Sequence, residues 1–109
     1  MKNDYSERIY ELLKELVATK PVSYSAEENN ASNYLVEFFG SIEYFKDKPN
    51  QFGRIPIPAD PFNRFIPFAL LIGNSKKTAV TMGHFDVVET ATYGAEKDLA
   101  FDLGKELEA

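Results

Sequence analysis

The sequence predicts a small α/β fold in which two N-terminal helices are followed by a small mixed sheet. Apolar residues recur at helical spacing in two early segments, and each segment is preceded by a residue that can cap a helix. Short apolar segments separated by turn-forming residues follow in the second half and indicate strands. The length of 109 residues allows one domain at most, since domains typically hold about 100–200 residues.

The first helix is predicted to begin near Asp4, which can cap the N-terminus with Glu7 as its partner in a variant of the capping box. One apolar face at helical spacing follows, formed by Ile9, Leu12, Leu13, Leu16 and Val17. Pro21 should end this helix, because a proline biases the residue before it, Lys20, away from the helical conformation.

The second helix is predicted to start after Ser25, whose hydroxyl can cap the N-terminus while Glu28 reaches back to the backbone. Its buried stripe consists of Ala31, Tyr34, Leu35, Phe38 and Phe39. Aromatic residues at this spacing are more typical of a core face than of a cofactor site. Gly40 stands where a left-handed residue would end the helix.

A proline-rich stretch follows and limits which segments can form strands. Residues 42–45 can form a short strand, but five of the six prolines lie from Pro49 to Pro67. Pro56 and Pro58 lack the N–H donors that a strand ladder needs, which predicts an edge strand or a surface loop. A rigid loop explains their Pro-x-Pro spacing better than a partner-binding motif does.

Two strands joined by a short turn are predicted next. Residues 65–72 form the first, which Pro67 places at an edge or a bulge, and residues 78–83 form the second. The linking residues 73–77 are too few for a parallel crossover, so the pair should be an antiparallel hairpin. After a polar loop, Asp102 is placed to cap a helix that begins at Leu103.

Composition excludes several classes of function. The net charge of −5 argues against a nucleic-acid partner, because phosphate binding needs clustered lysine and arginine. The absence of cysteine excludes a disulfide framework and a thiolate metal site. The longest apolar stretch is far shorter than the roughly 20 residues that cross a bilayer, and the N-terminus is not of the secretory type. A cytoplasmic protein that binds neither membrane nor nucleic acid is therefore expected.

The chemistry of the chain is concentrated at the end of the last predicted strand. His84 is the only histidine, and Asp86 follows at a spacing that places both side chains on one side of an extended segment, with Phe85 turned away. An imidazole is a good zinc ligand, and a nearby carboxylate can hold its other N–H. The alternative is a histidine that is hydrogen-bonded to Asp86 and binds no metal.

The residues around this pair resemble a known family. Residues 83–88, Gly-His-Phe-Asp-Val-Val, resemble the Gly-His-x-Asp-x-Val signature of the di-zinc exopeptidases and deacylases of peptidase family M-twenty, such as glutamate carboxypeptidase, aminoacylase and acetylornithine deacetylase. Residues 16–28 resemble the family's passage from its first helix to its second. Residues 68–73 resemble its strand before the ligand hairpin. The proline-rich loop and residues 93–102 look most like the arginine-utilisation (RocB-type) branch. Glu89 departs from the pattern, since many relatives carry proline there.

The resemblance implies a partial zinc-exopeptidase-like fold, with residues 1–109 as the N-terminal part of the catalytic domain. It implies that His84 is a ligand of one zinc ion, and it gives Asp86 a catalytic role as the carboxylate that clamps this imidazole. A complete family member would hold two zinc ions and hydrolyse an amide bond in a small peptide or an N-acyl amino acid.

The other groups of the family's site have no matching motif in this sequence. Asp98, Asp102 and Glu106 are expected to be solvated charges and a helix cap. A catalytic zinc needs three protein ligands, so the 109 residues alone should bind zinc weakly or not at all and should hydrolyse nothing. The leading hypothesis is a fragment of a metal-dependent hydrolase.

A second hypothesis is a non-catalytic domain of the same origin that associates with itself or with a partner. Sheet edges left without a neighbour, and apolar surface around Val80, Met82, Val87 and Val88, would supply the interface. A homo-oligomer is expected on this ground.

Overall fold

The computed structural model describes residues 4–88 and 100–102. Within them the chain forms α1 (Ser6–Ala18), α2 (Glu28–Ser41), a 3₁₀ turn (Glu43–Phe45), β1 (Phe52–Pro56) and β2 (Phe65–Ala69). The predicted α/β composition and the two N-terminal helices are confirmed. The predicted helix from Leu103 lies outside the described residues. No helix in the described part is both long and apolar enough to cross a membrane.

The C-terminal end of α1 lies where the local signals place it, but the N-cap residue is Tyr5 rather than Asp4, and the predicted capping box of Asp4 and Glu7 is not formed. The Asp4 carboxylate accepts a hydrogen bond from the Ser6 amide at 2.9 Å, just ahead of the helix. After Ala18 the backbone turns at Lys20, whose φ of 57° agrees with the predicted effect of Pro21. The apolar face of α1 is only partly covered, since Ile9 is 61% exposed.

The start of α2 uses one arm of the predicted capping box. The Glu28 carboxylate accepts hydrogen bonds from the amides of Tyr24 and Ser25, at 2.8 and 3.4 Å. The Ser25 hydroxyl donates to the Val22 carbonyl instead, so the helix begins at Glu28 rather than directly after Ser25. Ala31 lies at the centre of the buried stripe and is fully covered.

The end of α2 differs from its prediction. Gly40 lies inside the helix rather than beyond it, and the helix continues to Ser41. A Cβ atom at position 40 would lie 3.3 Å from the Phe52 ring, so close approach of that ring explains the glycine better than a left-handed turn does.

Residues 42–45 do not form the predicted strand, because Glu43–Phe45 form a turn of 3₁₀ helix that Ile42 caps. The Phe45 amide donates to the Ile42 carbonyl at 2.9 Å. This turn places the Phe45 ring in the core, 7% exposed, with the rings of Tyr44 and Phe52 at 4.9 and 5.7 Å. Burial of this aromatic ring outweighs the weak strand propensity of four residues.

The predicted hairpin between residues 65–72 and residues 78–83 is wrong. β2 pairs antiparallel with β1, from Phe52 opposite Ala69 to Pro56 opposite Phe65, so the two described strands form an antiparallel sheet and not a mixed one. Residues 78–83 form no strand.

Within residues 4–88 and 100–102, β2 pairs with β1 alone, and Pro67 helps to explain why. Backbone hydrogen bonds join Leu70 to Gln51 and Ile57 to Arg64. Hydrogen-bonded and non-bonded pairs alternate along an antiparallel ladder, so Pro67 occupies a non-bonded position and its nitrogen faces the open edge of β2. That edge lacks a donor at its centre, which disfavours pairing with residues 78–83. The predicted edge location of Pro67 is confirmed.

A tyrosine hydrogen bond joins the two helices, and its contribution to stability depends on pH in the alkaline range. The Tyr34 hydroxyl donates to the Glu15 carboxylate. Burial, together with this carboxylate, raises the pKa of Tyr34 to about 12 from an ordinary 10.0. The folded state therefore favours the neutral phenol, and this contribution to stability is present below pH 10 and is lost as the pH rises towards 12.

We expect one tyrosine of the folded chain to titrate near pH 12 when phenolate absorbance is followed. A Tyr34→Phe variant should lack this late step and should lose less stability than the parent over the same alkaline range. A late step that persists in the variant would assign it to another tyrosine.

Candidate functional site

A parallel bridge joins the loop between α1 and α2 to the residues that follow the His84-Phe85-Asp86 segment. Val22 pairs with Val87: the Val87 amide donates to the Pro21 carbonyl at 2.9 Å, and the Ser23 amide donates to the Val87 carbonyl at 2.7 Å. The loop between α1 and α2 therefore lies beside the His84-Phe85-Asp86 segment. The strand predicted to lead into that segment is not formed, and Val87, the residue that follows the segment, makes the bridge.

Positive φ angles flank the short segment that makes this bridge. Lys20 and Tyr24 have φ values of 57° and 55°, in a region that residues other than glycine adopt at a cost. The Tyr24 amide is bound to the Glu28 carboxylate at 2.8 Å, which stabilises the second of these turns. Pro21 lies in a tight turn that is closed by a hydrogen bond from the Val22 amide to the Lys20 carbonyl at 2.8 Å. The turns on both sides place Val22 and Ser23 beside Val87.

The structure brings His84 and Asp86 together as the i, i+2 spacing predicts. His84 Nδ1 lies 2.9 Å from Asp86 Oδ1, and the Phe85 side chain between them is half-buried. The His84 side chain is 88% exposed and that of Asp86 is 38% exposed. Because Nδ1 faces the carboxylate, Nε2 is the nitrogen that remains for a ligand.

A third residue, Ser23, completes the arrangement. Its hydroxyl donates to Asp86 Oδ2 at 2.6 Å, so the two oxygens of one carboxylate hold Ser23 and His84. Hydrogen bonds from Ser23, then from His84, lower the pKa of Asp86 below its ordinary value, which keeps the carboxylate ionised. Sequence reasoning missed Ser23, because nothing in a Pro-Val-Ser segment indicates a partner 63 residues away.

The donor set fits one position of a metal site. His84 offers Nε2, and Asp86 holds the other ring nitrogen, which is the arrangement that a ligating histidine commonly has. Among residues 4–88 and 100–102, no three histidine, aspartate or glutamate side chains are grouped as they would be around a metal ion. Of the acidic residues set aside above, Asp98 and Glu106 lie outside the described residues, and Asp102 is described and half-buried.

An open groove of about 760 Å³ lies between the body of the fold and the segment that carries the pair. α2 and β2 form one wall, where Phe39 and Phe65 contribute apolar surface. Residues 80–86 form the other wall, with His84 and Asp86 at its end. The groove gives the pair access to a molecule of moderate size.

The groove also borders a salt-bridge cluster centred on Arg64. The guanidinium binds Asp60, with Nε at 3.0 Å from both carboxylate oxygens, and its Nη1 binds Glu28 at 2.8 Å. Its plane lies against the rings of Tyr24 and Phe62, at 5.1 and 5.5 Å. Because both carboxylates near Arg64 are committed to it, neither is available as a metal ligand.

We expect Arg64→Ala to destabilise the chain strongly, because Asp60 and Glu28 side chains, only 4% and 16% exposed, would lose their cation. Hydrogen bonds from Arg64 hold the pKa of Asp60 well below its usual 3.8. Their contribution to stability is present above pH 3.8 and is lost as the pH falls further. The stability difference between parent and variant should therefore narrow in acid.

Unfolding by urea at several pH values measures this difference, and Arg54→Ala is the matched control. Arg54 is an exposed arginine that binds the Asn33 amide oxygen at 3.1 Å. Removal of the Arg54 side chain should lower the free energy of unfolding only slightly, and the stability difference from the parent should not narrow in acid. Equal losses in the two variants would contradict a special role for Arg64.

Comparison with known proteins gives one informative similarity. The chain is 31% identical over 102 residues to Protein RocB of Bacillus subtilis (strain 168), an alignment that covers 92% of this chain. The chain spans 18% of the length of that relative. No family model matches, and no solved structure matches. The chain is therefore related to one segment of that longer protein.

Proposed function

We propose that this chain contributes His84 as a zinc ligand, and Asp86 as the carboxylate that orients it, to a hydrolase of peptidase family M-twenty that acts on amide bonds. The observation that carries this proposal is the His84 Nδ1 to Asp86 Oδ1 distance of 2.9 Å, which directs Nε2 outward. The Gly-His-x-Asp-x-Val signature and the similarity to RocB support it. The zinc-exopeptidase-like fold belongs to this proposal.

In this function, the residues of the chain prepare one position of a metal site. Asp86 accepts a hydrogen bond from the Nδ1–H group and so keeps the neutral imidazole in the tautomer whose Nε2 can bind zinc. Zinc, when bound, supplies a Lewis acid and activates water for attack on the amide carbonyl. The remaining ligands and the general base come from polypeptide outside the described residues, and a complete site would hold two zinc ions.

The proposed substrates are small peptides or N-acyl amino acids in the cytoplasm, in a process of arginine utilisation. The groove of about 760 Å³ beside the pair is large enough for a small peptide, since ligand pockets typically measure about 300–1,000 Å³. Its wall carries both aromatic side chains and the charged Arg64 cluster, so it offers apolar and polar contacts together.

A chimera tests the proposal, in which this chain replaces the matched segment of B. subtilis RocB. Zinc content by atomic absorption and amine release from a panel of N-acyl amino acids and dipeptides are measured. The chimera should bind zinc and hydrolyse at least one member of the panel, while the 109 residues alone should do neither. A folded chimera that binds no zinc would refute the proposal.

A second candidate function is self-association, and exposed apolar side chains favour it. Val80 is 80% exposed, Met82 is 91% exposed and Val88 is 76% exposed, and all belong to the segment that carries His84. Such clustered apolar side chains commonly mark an interface. We infer a homo-oligomer in which this segment packs against a second copy.

Light scattering over a concentration series should give a mass above 12.3 kDa, and Met82→Lys should lower it. Lys14→Met, a change on the polar part of α1, is the control and should leave the mass unchanged. A monomer at every concentration would exclude this second function.

A further inference from the structure

We propose that Ser23 is a positioning residue that fixes the orientation of Asp86 and, through it, the tautomer of His84. The inference rests on the proposed function in that the tautomer matters for zinc binding. Its geometric basis is independent, because the contacts of Ser23 are formed by this chain alone.

Backbone contacts fix the position of Ser23 independently of its hydroxyl. Its amide donates to the Val87 carbonyl at 2.7 Å, and the parallel bridge of Val22 with Val87 fixes the distance between the two segments. Its hydroxyl then lies 2.6 Å from Asp86 Oδ2 and 3.0 Å from the Val87 carbonyl oxygen. The shorter contact is to the charged acceptor, which is the stronger one for a hydroxyl donor.

The consequence for Asp86 is a loss of rotational freedom. A carboxylate 38% exposed and bound at one oxygen could turn about its terminal bond and lose its histidine partner to water. With Oδ2 held by Ser23, Oδ1 stays 2.9 Å from His84 Nδ1. The carboxylate oxygen is an acceptor only, so in the neutral imidazole the ring nitrogen that it faces carries the proton and Nε2 carries none.

Neighbouring hydroxyls do not duplicate this contact. The Ser25 hydroxyl, in the same loop, donates to the Val22 carbonyl at 2.6 Å and serves the loop itself. Ser25→Ala is therefore a control that removes a hydroxyl and a loop hydrogen bond while it leaves Asp86 untouched. An effect of Ser23→Ala that Ser25→Ala does not share must come from the contacts of the Ser23 hydroxyl with Asp86 and the Val87 carbonyl, of which only the contact with Asp86 reaches a partner of the imidazole.

The measurement is the ratio of the two imidazole tautomers by long-range ¹⁵N–¹H correlation at mildly alkaline pH. His84 is the only histidine, so one pair of ring-nitrogen signals reports it. The parent should hold the Nδ1–H form in excess. Ser23→Ala should lower the ratio of the Nδ1–H form to the Nε2–H form roughly threefold to tenfold. This is smaller than the ~10–100-fold loss of metal affinity or activity that follows when a direct partner of a ligating histidine is removed, because Ser23 acts on His84 only through Asp86.

Ser23→Thr should restore the parent ratio, because it keeps the hydroxyl, and Ser25→Ala should not change it. If Ser23→Ala fails to fold, Ser23→Thr and Ser23→Val carry the test, since they differ by a hydroxyl in nearly the same shape. A ratio that is equal in the threonine and valine variants, or unchanged in a folded Ser23→Ala, would overturn the proposal.

Zinc titration of the RocB chimera separates this inference from the function on which it rests. If both hold, Ser23→Ala should weaken zinc binding by a factor similar to the change in the tautomer ratio. A shifted ratio in the 109-residue chain, together with a chimera that binds no zinc, would leave Ser23 as a positioning residue and would refute only the proposed function.

Discussion

Replacing Phe45 by alanine is expected to lower the free energy of unfolding by about 3–5 kcal/mol, the usual cost of Phe→Ala in a core. Phe45 is 7% exposed and lies between the rings of Tyr44 and Phe52. A small domain has about 5–15 kcal/mol of stability in total, so this one change should remove much of it. Urea unfolding followed by circular dichroism measures the loss.

Met82→Ala is the control for the loss of a large apolar side chain. Met82 is 91% exposed, and exposed substitutions usually change stability by no more than about 0.5 kcal/mol. The variant should unfold at nearly the same urea concentration as the parent. A loss at Met82 as large as that at Phe45 would show that the core lies elsewhere.

His84→Ala in the RocB chimera is expected to abolish binding of one zinc ion and to lower amide hydrolysis more than ~100-fold, since its imidazole is the proposed ligand. Asp86→Asn should be milder, about 10–100-fold, because orienting partners of ligating histidines contribute on that scale. Asparagine nearly matches the shape of aspartate but can present an N–H to Nδ1 in place of an oxygen. Zinc content and amine release are compared with those of the parent chimera.

Asp47→Asn is the matched control for the change at Asp86. Asp47 is an exposed carboxylate whose partner is the neighbouring Lys48, at 3.0 Å, and it does not line the groove. Its replacement should alter neither zinc content nor rate. If His84→Ala kept full zinc content and activity, the metal would have to be bound by other residues.

Local signals predicted the helices well, because periodicity and capping act within a few residues. The turn at Lys20 and the return of Glu28 to the backbone of the preceding loop could both be inferred in this way. The exact start of α2 could not, since the Ser25 hydroxyl had a competing acceptor in the Val22 carbonyl.

Pairing between distant segments could not be predicted from the same signals. The short turn at residues 73–77 favoured a hairpin of neighbours, but β2 pairs with β1 across a longer loop. That loop is closed by Asp60, which accepts hydrogen bonds from the Phe62 and Arg64 amides at 3.0 Å. How much Asp60 stabilises this loop could not be predicted from the sequence, because it depends on Arg64, which also binds Glu28.

Only the residues of the candidate site that are close together in sequence could be predicted. His84 and Asp86 are two residues apart, so an extended backbone suffices to bring them together. Ser23 enters through the Val22–Val87 bridge, which depends on the path of the whole chain between them. The spacing of His84 and Asp86 predicts the first pair, whereas only the three-dimensional arrangement reveals the third residue.

The Val22–Val87 bridge also determines when the site forms during folding. The helices and the β1–β2 hairpin close short loops, whereas Ser23 and Asp86 are 63 residues apart. The entropy cost of closure grows with loop length, by roughly 0.6 kcal/mol for each doubling, and distant contacts slow folding. On refolding, helical circular dichroism should therefore recover before His84 acquires its fixed tautomer. In the native state the bridge should be among the first contacts to open, so a chain can retain its helices while Ser23 has already separated from Asp86.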